Sequence, residues 1–303
     1  MKTSNHLLRR LTAALLAAVL ALSIALPVFA SDDGDTIYIN SVSDLLSLAR
    51  NCAYDQWSVG KTVILQKDLS LEGMLWEPIP SFSGQFKGNG HTISDLTITG
   101  QYSPAGLFGI VEEQGSIESL SVRGVVSVSD SADTTTGGIV GINHGTLISC
   151  QFTGVVTGDS EVGGIVGRNE SEGTIDHSTA RAIVTGKSST GGIAGYNLGA
   201  ITGCTNVGSI NTEYPEASLD TDGFTAKMVD YINNKMAAAD DDATNSVTNV
   251  ATDTGGVAGR SSGMILTSVN TGTIGYEHVG YNVGGIVGRT DGLVSGCVNQ
   301  GRV

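Results

Sequence analysis

Three sets of residues in this chain recur at fixed spacings and are of types that could do chemistry: cysteines, asparagines and arginines. The count starts from a glycine that opens the second half of each of six similar segments (Gly115, Gly145, Gly173, Gly199, Gly263 and Gly292). The fifth residue after it is Leu120, Cys150, Ser178, Cys204, Ser268 or Cys297. Clustered thiols would give metal or redox chemistry if they came within ligand reach. The three cysteines stand in alternate copies, however. With one copy per turn of a coil they lie about 9–10 Å apart, beyond the roughly 6.8 Å Cα limit of a disulfide. They read as free thiols in a core column, where cysteine behaves as a small hydrophobe. Asn206, Asn270 and Asn299 share a second column, the pattern of an internal amide ladder bonded along the stacking axis. Asn143, Asn169 and Asn197 follow a glycine-rich strand, where a turn of positive φ is expected.

A third column invites a ligand. Four residues after the second glycine of each repeat stand Ile142, Arg168, Tyr196, Arg260 and Arg289. Three guanidiniums and a phenol in line, on an acidic chain, form a candidate strip for an anionic glycan through bidentate contacts and stacking. The competing reading is a solvated face whose arginine stems cover apolar strand surface.

Catalytic sets are harder to assemble. Glu118 and Asp176 share a column, but Ile148, Thr202, Leu266 and Ser295 fill its other positions, so no carboxylate pair recurs on neighbouring copies. Asp240-Asp241-Asp242 lacks the alternating spacing of a calcium loop. His6, His91, His144, His177 and His278 show no metal spacing, and no nucleophile, cofactor or metal is assigned.

These columns need a stacked architecture to position them. Five segments begin Gly-Gly-[Ile/Val]-[Val/Ala]-Gly, and the second glycine moves from Gly138 to Gly164, Gly192, Gly256 and Gly285 in steps of 26, 28, 64 and 29 residues. A weaker copy begins at Ala105. The long step reads as one repeat plus an insertion at about 211–253, since insertions in a solenoid map to loops. Within each copy apolar residues alternate with period two, the signature of strands. Ile117, Leu147, Ile175, Ile201, Ile265 and Val294 align, as do Val126, Val156, Val184, Ile210, Ile274 and Val303. No single copy can bury such a column alone, so the copies must stack.

The repeats resemble the GLUG motif of exported bacterial proteins, over roughly residues 105–303. The stretch from Phe82 to Ile93 (FSGQFKGNGHTI) is similar to that family's entry into its coil. The resemblance implies an all-β, right-handed parallel β-helix. It also implies an exported, surface-associated protein; some members are attached to immunoglobulin-cleaving proteases or other large surface proteins. It carries no established activity.

The flanking segments complete the expected organisation. Lys2, Arg9 and Arg10, the apolar run Leu11–Leu26 and Val28-Phe29-Ala30 form a signal peptide over 1–30 with cleavage after Ala30. No later segment is long enough for a membrane span. Cleavage leaves 13 basic residues against 30 acidic ones, a balance of −17, which argues against nucleic acid and anionic lipid as partners. Residues 31–81 read as an N-terminal α/β cap, with strands at Thr36–Asn40 and Lys61–Gln66 around a helix capped at Ser41, and the repeats occupy 82–303. In the insertion, Phe224, Met228, Tyr231, Ile232 and Met236 fall on one face of a helix. The expected function is a non-catalytic surface module, a stalk or adhesin-like scaffold, whose partners are host or cell-wall polysaccharide or a surface protein. The alternative is a carbohydrate-active β-helix, a lyase or hydrolase.

Overall fold

The alternating repeats close into ladders of parallel strands in the computed structural model, which describes residues 35–54, 56–128, 134–212, 252–275 and 281–303. The unit Thr36–Val303 is an all-β parallel β-solenoid of about seven turns. Its strands form four sheets, of nine, ten, five and seven members. One turn shows the plan: Glu161–Gly163 joins the five-stranded sheet, Val166–Asn169 the seven-stranded, Thr174–Asp176 the nine-stranded and Thr179–Thr185 the ten-stranded.

The register matches the repeat alignment. Ile117 pairs with Leu147, and the ladder continues through Ile175, Ile201 and Ile265 to Val294. Val126, Val156, Val184, Ile210 and Ile274 form a second ladder. Both ladders are buried as far as Ile274 and Ile265, so each apolar residue stacks on its equivalent one turn away. At the N-terminal end the column thickens into aromatics, with Phe82, Phe86 and Phe108 at centroid separations of 5.4–6.3 Å.

Crowding explains the paired glycines. A β-carbon on Gly163 would overlap the carbonyl oxygen of Val166, and one on Gly191 that of Ala194. The chain folds back on itself there between two sheets, and only glycine leaves room. The second glycine packs against the core column: Gly138 against Phe152, Gly192 against Asn206, Gly256 against Asn270.

The helix spans Val42–Asn51. Ser41 accepts from the Asp44 backbone N–H at 3.2 Å while the Asp44 carboxylate accepts from the Asn40 N–H at 3.0 Å, a reciprocal cap. Its Leu45 and Leu48 are buried, and in the chain it lies between two strands, Thr36–Ile39 and Thr62–Leu65. Those strands pair in parallel with each other and, through Gln85–Lys87, with the repeats, so the nine-stranded sheet passes residue 82 unbroken.

The long step does not interrupt the coil. Gly191 pairs directly with Gly255 and Ile210 with Ile274, and the Asn211 amide donates to Thr254 Oγ1 at 3.0 Å. The helix expected around Phe224–Met236 and the signal peptide of 1–30 lie outside the described residues.

Positive φ falls elsewhere than at Asn143, Asn169 and Asn197. It falls on the fourth residue after each opening glycine: Ser119 (53°), Ser149 (53°), His177 (46°), Gly203 (61°), Thr267 (47°) and Gly296 (65°). The three asparagines instead turn inward as a buried ladder. Asn143 Nδ2 donates to Asn169 Oδ1 and Asn169 Nδ2 to Asn197 Oδ1, each at 2.8 Å, and Asn197 Nδ2 to Ser261 Oγ at 3.1 Å. A buried amide gains more from axial bonds than from relieving a turn.

Candidate functional site

The strip Arg168, Tyr196, Arg260 and Arg289 is assembled by the seven-stranded sheet. Successive members are register partners, and Ile142 and Ile110 continue the column toward the N-terminus. Glycines precede each member because the five-stranded sheet packs close behind them: a β-carbon on Gly195 would overlap the Val162 backbone, and one on Gly259 that of Thr190. The larger side chains are thereby turned outward.

The four members are not equivalent. Arg168 carries two carboxylates, Glu161 at 3.0 Å and Glu170 at 3.7 Å, and Glu161 also accepts from Thr135 Oγ1 at 3.2 Å. The Tyr196 ring lies between guanidiniums on the turns either side, with Arg168 Cζ at 5.4 Å and Arg260 Cζ at 5.1 Å from its centroid. Both ring neighbours are therefore cations, and the ring serves as a spacer between charges rather than an open stacking platform. Tyr196 Oη lies 3.2 Å from Ser262 Oγ. The Ser262 hydroxyl in turn bonds Asp291 and holds its carboxyl below the usual carboxylate range, with Arg260 and Arg289 adding to the effect. Arg260 is half-buried and Arg289 exposed, and neither has an ion pair among the described residues.

Glu161, Glu170, Asp291 and Ser262 stand outside the columns that the repeats align. Glu161 stands two residues before the first glycine of its repeat, where the other copies have Thr135, Ser189, Asp253 and Asn282. Aligning that position would have shown an acid beside the strip.

The cysteine column alternates with serines that bond it. Cys150 N–H donates to Ser178 Oγ at 3.1 Å, Ser178 N–H to Cys204 Sγ at 3.4 Å and Cys204 N–H to Ser268 Oγ at 3.2 Å. Each thiol also donates to carbonyls: Cys150 to Ile148, Cys204 to Thr202 and Cys297 to Ser295, at 3.4–3.5 Å. All four cysteines are free, and burial pushes the Cys150 and Cys204 thiols up to about 12 and Cys52 to about 11. Such thiols neither ionise nor attack at ordinary pH. Asn206 Nδ2 donates to Asn270 Oδ1 and Asn270 Nδ2 to Asn299 Oδ1, each at 2.7 Å.

In the column of Glu118 carboxylates do not recur on neighbouring turns. Ile148 separates Glu118 from Asp176, which pairs with His177 at 2.8 Å. No group of three or more His, Cys, Asp or Glu able to hold a metal occurs among the described residues. A cavity of about 670 Å³ beside the helix is lined by Leu46, Arg50, Tyr54, Leu75, Glu77 and Pro80 among others, without a serine, cysteine or histidine.

Comparison with known proteins supports the architecture. No family model matches the chain. Halomucin from Haloquadratum walsbyi is 30% identical over 155 residues, which covers 47% of this chain but 2% of halomucin. A proposed Gly-rich membrane protein from Evansella cellulosilytica is 29% identical over 137 residues, 33% of this chain and 16% of that protein. The chain thus spans a small fraction of the relatives it matches. The crystal structure of a proposed immunoglobulin A1 protease from Bacteroides ovatus superposes with a TM-score of 0.56 at 18% identity, covering 86% of this chain and 74% of that one. At that identity the likeness is one of fold. No helix among the described residues is long and apolar enough to cross a membrane.

Proposed function

We propose that this chain is an exported, non-catalytic repeat module of the cell surface. Its solenoid is a scaffold of the GLUG type, and the outward column of its seven-stranded sheet binds acidic polysaccharide. The observation that carries the reading is the in-register column Arg168–Tyr196–Arg260–Arg289, a local concentration of cations on a chain whose net charge of −14 otherwise disfavours anions. Arg260 and Arg289, adjacent in that column and without an ion pair among the described residues, are charges that an oxyanion-bearing polymer can satisfy. The basic-apolar leader with its site after Ala30 supports export, and the membrane protein among the relatives supports an envelope setting. The structural neighbour supports the scaffold alone.

Two measurements test this. Intact mass of the secreted chain should begin at Ser31, and protease applied to whole cells should remove it. Replacing Arg168, Arg260 and Arg289 together by alanine should abolish retention on immobilised acidic polysaccharide while leaving the circular dichroism of the coil unchanged. Cytoplasmic retention, or unchanged binding by the triple variant, overturns the proposal. Release of unsaturated or reducing sugar ends would replace it with the lyase or hydrolase alternative.

A further inference from the structure

Within that strip the charges are unequally satisfied. Arg168 is neutralised by Glu161 and Glu170, and its plane is engaged by Tyr196. Arg260 and Arg289 are direct register partners on adjacent turns, about 4.8 Å apart at the backbone. Like charges placed opposite each other on parallel strands repel, and neither guanidinium has an ion pair among the described residues. An acid that feels both cations, Asp291, is exposed and hydrogen-bonded to the Ser262 hydroxyl. That same Ser262 is bonded to Tyr196 Oη, and the Tyr196 ring lies 5.1 Å from Arg260 Cζ. Arg260 is therefore held on one side by a ring that is itself fixed at both its face and its hydroxyl. Its other side opens toward Arg289.

We infer that Arg260 and Arg289 form an anion clamp that takes one sulfate or carboxylate of a sugar polymer between their guanidiniums. This rests on the reading of the strip as a polysaccharide-binding face. Arg168 and Tyr196 are positioning residues: the first fixes the ring, and the ring fixes Arg260. Asp291 competes with the ligand, since its carboxylate occupies the field of both cations. Two guanidiniums one turn apart offer paired N–H donors to a single oxyanion, and charge-assisted bonds of this kind are the strong ones. A neutral sugar gains none of this.

The test uses the secreted chain and three defined probes: dextran sulfate, polygalacturonate and neutral dextran. Wild type should bind one or both charged polymers and not the neutral one, and the stronger of the two identifies the oxyanion. Replacing Arg260 and Arg289 by alanine should weaken binding about tenfold or more, the worth of a bidentate contact. Removing two positive charges elsewhere, with Arg123→Ala and Lys187→Ala, should leave it unchanged. The charge-neutral pair Arg168→Gln with Glu161→Gln should weaken it less than the loss of the clamp. Asp291→Asn should strengthen it severalfold, a gain that misfolding cannot mimic. Binding by wild type that survives loss of Arg260 and Arg289, or that weakens when Asp291 is neutralised, overturns the clamp alone. Failure of wild type to bind either charged polymer overturns both the clamp and the glycan-binding reading beneath it.

Discussion

At the scale of single residues, the coil tolerates a left-handed backbone position once per turn, and the sequence fills it unevenly. Gly203 and Gly296 adopt it freely, while Thr267, β-branched, sits there at φ 47°. An L-residue in that region costs about 1–2 kcal/mol, and glycine gives back part of the relief as unfolded-state entropy. Thr267→Gly should therefore raise stability by about 0.5–1 kcal/mol and Gly203→Ala lower it by about 1 kcal/mol, read from denaturant midpoints. Opposite signs would mean that neighbouring turns, rather than φ, set the local energy. The cysteines make a second case at this scale. Cys150 and Cys204 keep their protons to about 12 because burial penalises the thiolate, against 9.0 for an unburied thiol. The raised folded-state value contributes stability in full below pH 9.0, and this is lost as pH climbs toward 12. The double variant Cys150→Ser, Cys204→Ser should fold, because Ser178 and Ser268 already bond their own column at 3.0–3.1 Å to Asp176 and Leu266 carbonyls. It should show a shallower alkaline decline in melting temperature than wild type. Identical alkaline profiles would place the loss in other groups. In native alkylation, half-exposed Cys297 should react before the buried Cys52, Cys150 and Cys204.

At the scale of elements, the strands and their register were legible because the side-chain period and the repeat period both enter the sequence directly. The alignment of Ile117 with Leu147, Ile175 and Ile201 is the pairing itself, and the Asn206–Asn270–Asn299 ladder follows from the same alignment. What the columns did not carry was interaction between sheets. Glu161 reaches Arg168 from a different strand of the same turn, and Glu170 from the following bend, so neither shares a column with its partner. The second asparagine ladder is not legible in the sequence for a related reason. Asparagine favours both turns and amide stacks, and only burial decides between them. The ladders make a directional prediction. Asn270 accepts from Asn206, and its own amide donates to Asn299 and to the Gly272 carbonyl at 3.2 Å. Asn270→Asp leaves the acceptor in place but sets a buried carboxylate against two oxygens, at a cost of about 3 kcal/mol or more. Asn299→Asp, at an exposed position, should cost less than about 1 kcal/mol. Equal losses at the two positions would show that the amide direction along the coil is wrongly assigned.

At the scale of the whole molecule, the coil is a sum of near-identical turns, so its integrity depends on register rather than on any one connection. The strongest evidence is the junction across the long step. Gly191 meets Gly255 and Ile210 meets Ile274, and the side chains of Asn211 and Thr254 bond at 3.0 Å. The equivalent connection one turn earlier needs only the short stretch between Thr185 and Thr190. Residues 213–251 therefore enter and leave at neighbouring points, and a short Gly/Ser loop should replace them without disturbing the turns on either side. Circular dichroism and the denaturant midpoint should then stay within the range of a surface-loop change, and loss of strand signal would show that the segment holds the coil together. The same deletion divides function from scaffold. Tyr196, Arg260 and Arg289 lie on turns flanking the junction and owe their spacing to strand register. Retention on acidic polysaccharide should accordingly survive the replacement. If the coil folds but retention is lost, the ligand is held by the inserted segment and the arginine column is only the solvated face that its exposure also allows.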